Sequence, residues 1–398
     1  MCVGQTVPPL QGITVLAIEQ AIAAPLCTRQ LADLGARVIK IERPDVGDFA
    51  RHYDTRVKGQ SSHFVWTNRG KESLTMDLKS GSGRHLLDHL LEQADVLVQN
   101  LTPAAAKRMG LGYEELSNHY PQLILCNISG YGSSGSYANR KAYDLLVQAE
   151  AGLLTVTGLP DTLVKSGISI ADIAAGTQAH AGILAALIQR GKTGRGACLD
   201  ISMLEAMVEW MGFPLYYAYE GAEPPLRTGA DHASIYPYGL FTSQQDDVIM
   251  LGVQNQREWQ HFCEQVIEQP QLFSDSRFVT NAQRSANRQI LKNLIQDAFS
   301  RSSTDVIISK LDTAKIAYAQ VNHLNQVWNH PQLRELKRFV EVASPGGAIE
   351  TLLPPVHNSE FGPVTGEVPK LGQHTESILA ELGLSEEEIQ NLQEQSVI

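Results

Sequence analysis

Residues 13–18 read ITVLAI and residues 37–41 read RVIKI. Between them stand Glu19-Gln20-Ala21-Ile22-Ala23-Ala24-Pro25, a helical stretch over 26–34, and Gly35. Two short apolar, β-branched runs joined by a single helix make a βαβ unit. A crossover of this kind joins parallel strands through a right-handed connection. The alternation continues with a strand at 73–77, a helix over 83–93, a strand at 95–98, a helix over 103–109 and a strand at 123–128. This order predicts an α/β fold built on a Rossmann-like open parallel sheet.

Beyond Tyr143 the pattern predicts a helix over 144–150, a long helix over 171–189, a strand at 199–203 and a helix over 204–218. Glu223-Pro224-Pro225 marks a boundary. From there to about 325 the chain has strand patterns at 248–252 and 316–321, with helices over 258–266, 284–299 and 304–310. A Pro/Gly-rich stretch over 345–372 leads to closing helices at 377–382 and 385–393. The reading is a discontinuous large domain, 1–222 with 326–398, and a smaller α/β domain, 223–325.

The chain has 398 residues, a net charge of −11, 43% hydrophobic and 19% charged residues. That balance is ordinary for a soluble globular protein and argues against nucleic acid or anionic membranes as partners. The five cysteines (Cys2, Cys27, Cys126, Cys198, Cys263) form no CxxC pair, so neither a zinc knuckle nor a disulfide framework is expected. No basic segment and apolar run open the chain, and the longest apolar stretch, 181–188, is far short of a membrane span. The expectation is a cytoplasmic enzyme without a metal.

Several motifs compete. Gly130-Tyr131-Gly132-Ser133-Ser134-Gly135 matches GxGxxG after a strand, which admits a nucleotide-binding or NAD-dependent reading. It stands late in the βα series, however, and no clear helix follows, so a plain loop is favoured. His85 and His89 are spaced i, i+4, but no third ligand accompanies them and a solvated helix face is the better reading. Lys71, Lys79, Asn100, Lys107 and Arg108 fall at strand ends or the starts of following helices, where doubly wound sheets bind ligands. Asp172 is the single carboxylate in the small, apolar segment 167–188. It reads either as an N-cap or first-turn acid, or as a nucleophile that the helix start keeps ionised.

Taken together the chain resembles the class III CoA-transferase family, of the formyl-CoA and carnitine CoA-transferase type. The resemblance rests on the ordered set LGARVIKIERP over 34–44, Gly47-Asp48, Asn68-Arg69-Gly70-Lys71, Leu78-Lys79, ADVLVQN over 94–100 and MGLGY over 109–113. It continues with Ile128-Ser129-Gly130-Tyr131-Gly132, Ala142-Tyr143-Asp144, Gln148-Ala149, Asp172 with Gly176, Thr193-Gly194-Arg195-Gly196 and LGQHT over 371–375.

The resemblance implies an aspartyl nucleophile at Asp172 and coenzyme A contacts at Ile22, Ala23, Arg43, Leu78, Lys79, Asn100, Leu101, Arg108, Lys141, Tyr143 and Asp144. It also implies an interlocked homodimer. Ile22 stands where oxalate-type members keep a glutamine, which argues against formyl or oxalate specificity. The segments 209–212, 227–232 and 252–259 resemble a subgroup that takes CoA from succinyl-CoA to itaconate, mesaconate, citramalate or malate. Arg51, Arg227 and His232 are then candidates for the acceptor's second carboxylate. The related α-methylacyl-CoA racemases place a histidine where Tyr143 stands. An ionised tyrosine is a poor proton shuttle at neutral pH, so transfer is favoured over racemisation.

Overall fold

The computed structural model describes residues 7–398, so Cys2 lies outside the described residues. The chain forms two compact units, one of Met1–Ala151, Ser166–Met211 and Leu333–Ile398, the other of Gly152–Lys165 and Gly212–Gln332.

The first unit is built on six parallel strands. In chain order they and their helices are β1 (Thr14–Ile18), α1 (Ala23–Ala32), β2 (Arg37–Glu42), β3 (Glu72–Thr75), α2 (Gly81–Glu92), β4 (Val96–Gln99) and β5 (Ile124–Ser129). There follow α3 (Asp144–Glu150), α4 (Ile170–Thr193), β6 (Cys198–Ser202) and α5 (Met203–Trp210). The sheet order is β3-β2-β1-β4-β5-β6, with Val15 opposite Val38 on one side and Val96 on the other. This is the doubly wound order that the βαβ reading anticipates, with its switch point between β1 and β4. Val15, Leu16, Ala17 and Val96–Val98 are all fully buried, because helices cover both faces of a parallel sheet.

Helix α2 shows why the elements form where they do. The Ser80 hydroxyl accepts the Gly83 N–H to cap its start, and Leu86, Leu87, Leu90 and Leu91 supply one buried stripe. Helix α4 is long and apolar enough by composition to cross a membrane. Its face of Ala171, Ala174, Ala175, Ala179, Ile183 and Ala186 is nonetheless buried within the unit.

The second unit contains β7 (Tyr238–Thr242), β8 (Val248–Gly252), α6 (Arg288–Phe299), α7 (Thr304–Ala314) and β9 (Ala317–Gln320). Its strands form an antiparallel sheet of order β9-β8-β7, packed on a core of Phe241, Trp259, Phe262, Phe278 and Phe299. Strand β7 escapes a reading from sequence because its five residues mix Gly and Thr with aromatics. The helix expected over 284–299 is two helices. Thr280 and Gln283 form a capping box that starts a short one, Asn281–Ala286, and Asn287 leaves helical geometry before α6.

The chain then returns to the first unit through the hairpin of β10 (Phe339–Val342) and β11 (Ile349–Leu352), followed by α8 (Thr375–Glu381) and α9 (Glu386–Glu394). The return seals the edge of β3. The Ser73 N–H donates to His374 Nδ1 (3.1 Å), Thr75 N–H to Thr375 Oγ1 (3.0 Å), and Asp77 N–H to the Val397 carbonyl (2.7 Å). Ile378, Leu379 and Ile389 complete the core beneath.

Candidate active site

The segments after the parallel strands carry most of the coenzyme A contacts that the family resemblance implies, with Arg108 at the end of the helix Pro103–Arg108. Ile22 and Ala23 follow β1, Arg43 follows β2, Leu78 and Lys79 follow β3, Asn100 and Leu101 follow β4, and Lys141, Tyr143 and Asp144 follow β5. Arg43, Lys79, Arg108, Lys141 and Tyr143 are exposed, whereas Ile22 and Ala23 are buried and Leu78 and Leu101 pack against the sheet core. Asn100 is engaged internally. Its Oδ1 accepts the Gln20 N–H (3.0 Å) and its Nδ2 donates to the Gln20 carbonyl (2.8 Å), so it fixes the β1–α1 loop.

Asp172 lies in the first turn of α4, after an N-cap residue, Ser169, whose side chain makes no cap. The cap comes from another helix. Asp144 Oδ1 accepts the N–H groups of Ala171 (2.8 Å) and Asp172 (3.2 Å). Buried Gln148 holds Asp144 in place through Nε2 (2.6 Å) and accepts the Ser166 N–H (2.9 Å) on its Oε1. Two carboxylates therefore meet at one helix start. Burial first, and the Asp144 charge second, push the Asp172 carboxyl up to about 7. This overturns the expectation that the helix start keeps Asp172 fully ionised. Its partial positive charge is met by Asp144, and desolvation with like-charge repulsion prevails. The same arrangement removes the first-turn amides of α4 as free donors.

Gly176 lies four residues beyond Asp172, on the same helix face. A Cβ at Gly176 would fall 2.5 Å from the Ala23 carbonyl oxygen, so α4 and the start of α1 touch backbone to backbone. Asp172 thus lies one helical turn from the residue that touches Ala23, and the N–H groups of Ile22, the N-cap residue of α1, and of Ala23 have no intrahelical partner.

Beneath that loop lies a buried network of two carboxylates, Glu19 and Asp48, and two cations, Lys40 and Lys71. Lys71 Nζ donates to Glu19 Oε1 (2.6 Å), the Pro25 carbonyl (2.9 Å) and Asn68 Oδ1 (3.0 Å). Lys40 Nζ meets Asp48 Oδ2 (2.8 Å) and Glu19 Oε1 (3.4 Å). Asp48 Oδ1 accepts the N–H groups of Ala21 (3.1 Å) and Ala50 (2.9 Å), fixing Ala21 in a left-handed conformation, φ 65°. Burial opposes the Glu19 charge, yet Lys71 and Lys40 together hold its pKa below the ordinary value. Burial lowers Lys71 to about 8 in spite of Glu19. Lys71 is therefore an internal strut and not the exposed anion-binding cation that its place after Gly70 suggests.

The three second-carboxylate candidates are all engaged. Arg51 grips Glu42 through Nε (2.8 Å) and Nη2 (2.7 Å) and lies 3.7 Å over the Phe64 ring. In the second unit Arg227 donates to the carbonyls of Leu159 and Pro160. His232 stacks on Tyr238 and accepts two backbone N–H groups at Nδ1. Tyr53, absent from the sequence-based candidates, belongs to the neighbourhood. Burial and then the charges of Asp48 and Asp172 and the nearby Tyr143 hydroxyl raise its phenol to about 12. Its place five residues after Asp48 was the available signal.

The glycine-rich segment 130–135 is an irregular, bent loop with no helix before α3, so it does not present a helix N-terminus to a pyrophosphate. His85 and His89 are exposed and face each other, Nε2 to Nε2 at 3.2 Å, and among the described residues no three metal-ligating side chains cluster. Cys27, Cys126 and Cys263 are buried, with thiols raised first of all by burial.

Comparison with known proteins completes the description. Residues 10–375 match the model of CoA-transferase family III. Human succinyl-CoA:glutarate CoA-transferase is 32% identical over 94% of this chain and 86% of its own length. The succinyl-CoA:mesaconate CoA-transferase of Haloarcula hispanica is 30% identical over 94% of this chain and 96% of its own length. A crystal structure of a CAIB/BAIF family protein from Brucella suis superposes with a TM-score of 0.85 at 30% identity, covering 95% of this chain and all of the other. With its six-stranded doubly wound sheet and its ordered motifs, the chain belongs to CoA-transferase family III and is a CoA-transferase.

Proposed function

We propose that the chain moves CoA from succinyl-CoA to a C4–C5 dicarboxylate of the glutarate, mesaconate, itaconate, citramalate or malate class, with Asp172 as the covalent nucleophile. The observation that carries this reading is the half-buried Asp172 carboxyl, one helical turn from the residue that touches Ala23 and raised to about 7 beside Asp144. The family membership and the succinyl-CoA-dependent relatives support the donor.

The ionised Asp172 attacks the thioester carbonyl, the C–S bond breaks and CoA leaves as the thiolate. This forms an aspartyl–succinyl mixed anhydride. The thiolate attacks the aspartyl carbonyl, releasing succinate and leaving an aspartyl-CoA thioester. The acceptor carboxylate then attacks that thioester, the thiolate leaves again and finally attacks the acceptor's acyl carbon, and Asp172 is restored. A carboxylate suits the role because every intermediate keeps the acyl group activated, which a serine ester would not. Since Asp144 occupies the first-turn amides of α4, the oxyanion donors in this reading are the amides at the start of α1, of its N-cap residue Ile22 and of Ala23.

The test is a panel of dicarboxylates with succinyl-CoA, read by mass spectrometry, for the wild type and for Asp172→Ala. The wild type forms the new acyl-CoA. The variant loses transfer by at least about 10³-fold, together with any hydroxylamine-trappable acyl group on the protein. Transfer retained in Asp172→Ala would sink the assignment.

A further inference from the structure

Ala21 carries its methyl group in the left-handed region, at φ 65°, where the Cβ of an L-residue crowds the backbone and glycine is the usual occupant. Such strain persists only where surrounding contacts over-determine the backbone. Two side chains do so here. Asn100 holds both backbone groups of Gln20, accepting its N–H (3.0 Å) and donating to its carbonyl (2.8 Å). Asp48 Oδ1 accepts the next N–H of the chain, that of Ala21 (3.1 Å). Immediately after come Ile22, the N-cap residue of α1, and Ala23.

Asp48 is itself held firmly. It is buried, its N–H donates to Glu42 Oε1 (3.0 Å), and Oδ1 also accepts the Ala50 N–H (2.9 Å). Glu42 ends β2, and its other carboxylate oxygen accepts the Ser73 hydroxyl of β3 (2.7 Å). The pair with Lys40 uses Oδ2 alone (2.8 Å), so charge balance does not explain where Oδ1 points. Asp48 ties the β1–α1 loop to β2 and β3 and places a rigid acceptor at the one strained amide of that loop.

We propose that Asp48 is a positioning residue for acyl transfer, its bond to the Ala21 N–H holding the strained turn that aims the amides of Ile22 and Ala23 at the acyl oxygen. The proposal rests on the reading of those two amides as the oxyanion donors. Without the bond Ala21 relaxes toward negative φ, the peptide planes after it turn, and only a fraction of the molecules present both donors at any moment. The rate falls in proportion to that competent fraction. The bias of alanine against the left-handed region sets the loss at about 5- to 30-fold. The loss falls on kcat, because the donors act on charge that develops in the transition state.

The experiment follows exchange of isotope-labelled succinate into succinyl-CoA, which needs no other acceptor, on the wild type, Asp48→Asn, Asp48→Ala, Asp48→Ala with Ala21→Gly, and Ala21→Val. Circular dichroism and thermal melting show which variants are folded. Asn and Ala both remove the charge that pairs Lys40, but only Asn keeps an oxygen for the Ala21 N–H. In Asp48→Ala, kcat is expected to fall about 5- to 30-fold with KM for succinyl-CoA changed less than about twofold. Asp48→Asn is expected to keep most of kcat. Adding Ala21→Gly to Asp48→Ala restores most of the loss, because glycine enters the left-handed region without the bond. Should Asp48→Ala not fold, Ala21→Val decides: its branched side chain resists that region further, and kcat falls with Asp48 intact. Equal kcat losses in Asp48→Asn and Asp48→Ala, no recovery with glycine, or an unchanged kcat in Ala21→Val overturns the positioning role alone. A glycine-rescued loss that falls on KM and spares kcat overturns the donor reading of the two amides, and the positioning role with it.

Discussion

Asp172 and Asp144 set one chemical variable between them. The nucleophilic role proposed for Asp172 needs an ionised carboxylate, and burial and then Asp144 hold that carboxyl near 7. kcat/KM should therefore rise with pH along a limb centred near 7 and level off above about 8. Asp144→Asn keeps an oxygen for the amides of Ala171 and Asp172 and removes the repelling charge. The limb should move about half to one pH unit lower, which a pH–rate profile of the variant reads directly; an unmoved limb would show that Asp144 does not set it. Asp172 itself was legible in the sequence as the one carboxylate in an apolar helix start. The source of its altered acidity was not. Asp144 is 28 residues away and reaches the helix only because α3 packs beside α4, a contact that no local pattern encodes.

At the scale of elements, the parallel strands were legible because each is a short, continuous apolar run with both faces buried. β7 and the β10–β11 hairpin were not, since four or five mixed residues carry no clear period. The packing of α1 on α4 was half legible. Gly176 stood out in sequence, but only the structure shows the Ala23 carbonyl filling the place of its side chain. The charge network below the β1–α1 loop reaches α1 through the Pro25 carbonyl, and Lys71, which makes that bond, is its best single probe. Lys71→Met leaves Glu19 buried with the Thr28 hydroxyl (2.7 Å) and, as its one cation, Lys40 at the longer 3.4 Å. Removing one partner of a buried pair costs about 3–5 kcal/mol, so the urea midpoint should fall sharply. The double variant Glu19→Gln with Lys71→Met should recover a good part of that loss, as a double-mutant cycle would show. A loss below about 1 kcal/mol in the single variant would mean that the network is slack and that other contacts fix the loop. The reading of Lys71 as an exposed cation failed for the same reason. Glu19, its partner, is 52 residues away, and burial is a property of the assembled sheet.

For the whole molecule, the net charge of −11 and a polyanionic substrate pull in opposite directions. A long-range field of that sign repels CoA, and salt would relieve the repulsion and lower KM. In the proposed reading, local pairing with Arg43, Lys79, Arg108 and Lys141 attracts it, and salt would weaken the attraction and raise KM. The distances decide which effect prevails. At physiological ionic strength the Debye length is about 8 Å, so charges spread over the far surface are largely screened, while cations touching phosphate act well inside that length. Raising the salt from about 0.05 to 0.5 M should thus raise KM for succinyl-CoA several-fold and leave KM for the nucleotide-free succinyl-pantetheine nearly constant. Initial rates at fixed pH measure both. A KM for succinyl-CoA that falls with salt would place control in the global field and remove the exposed cations of the sheet edge as the source of affinity.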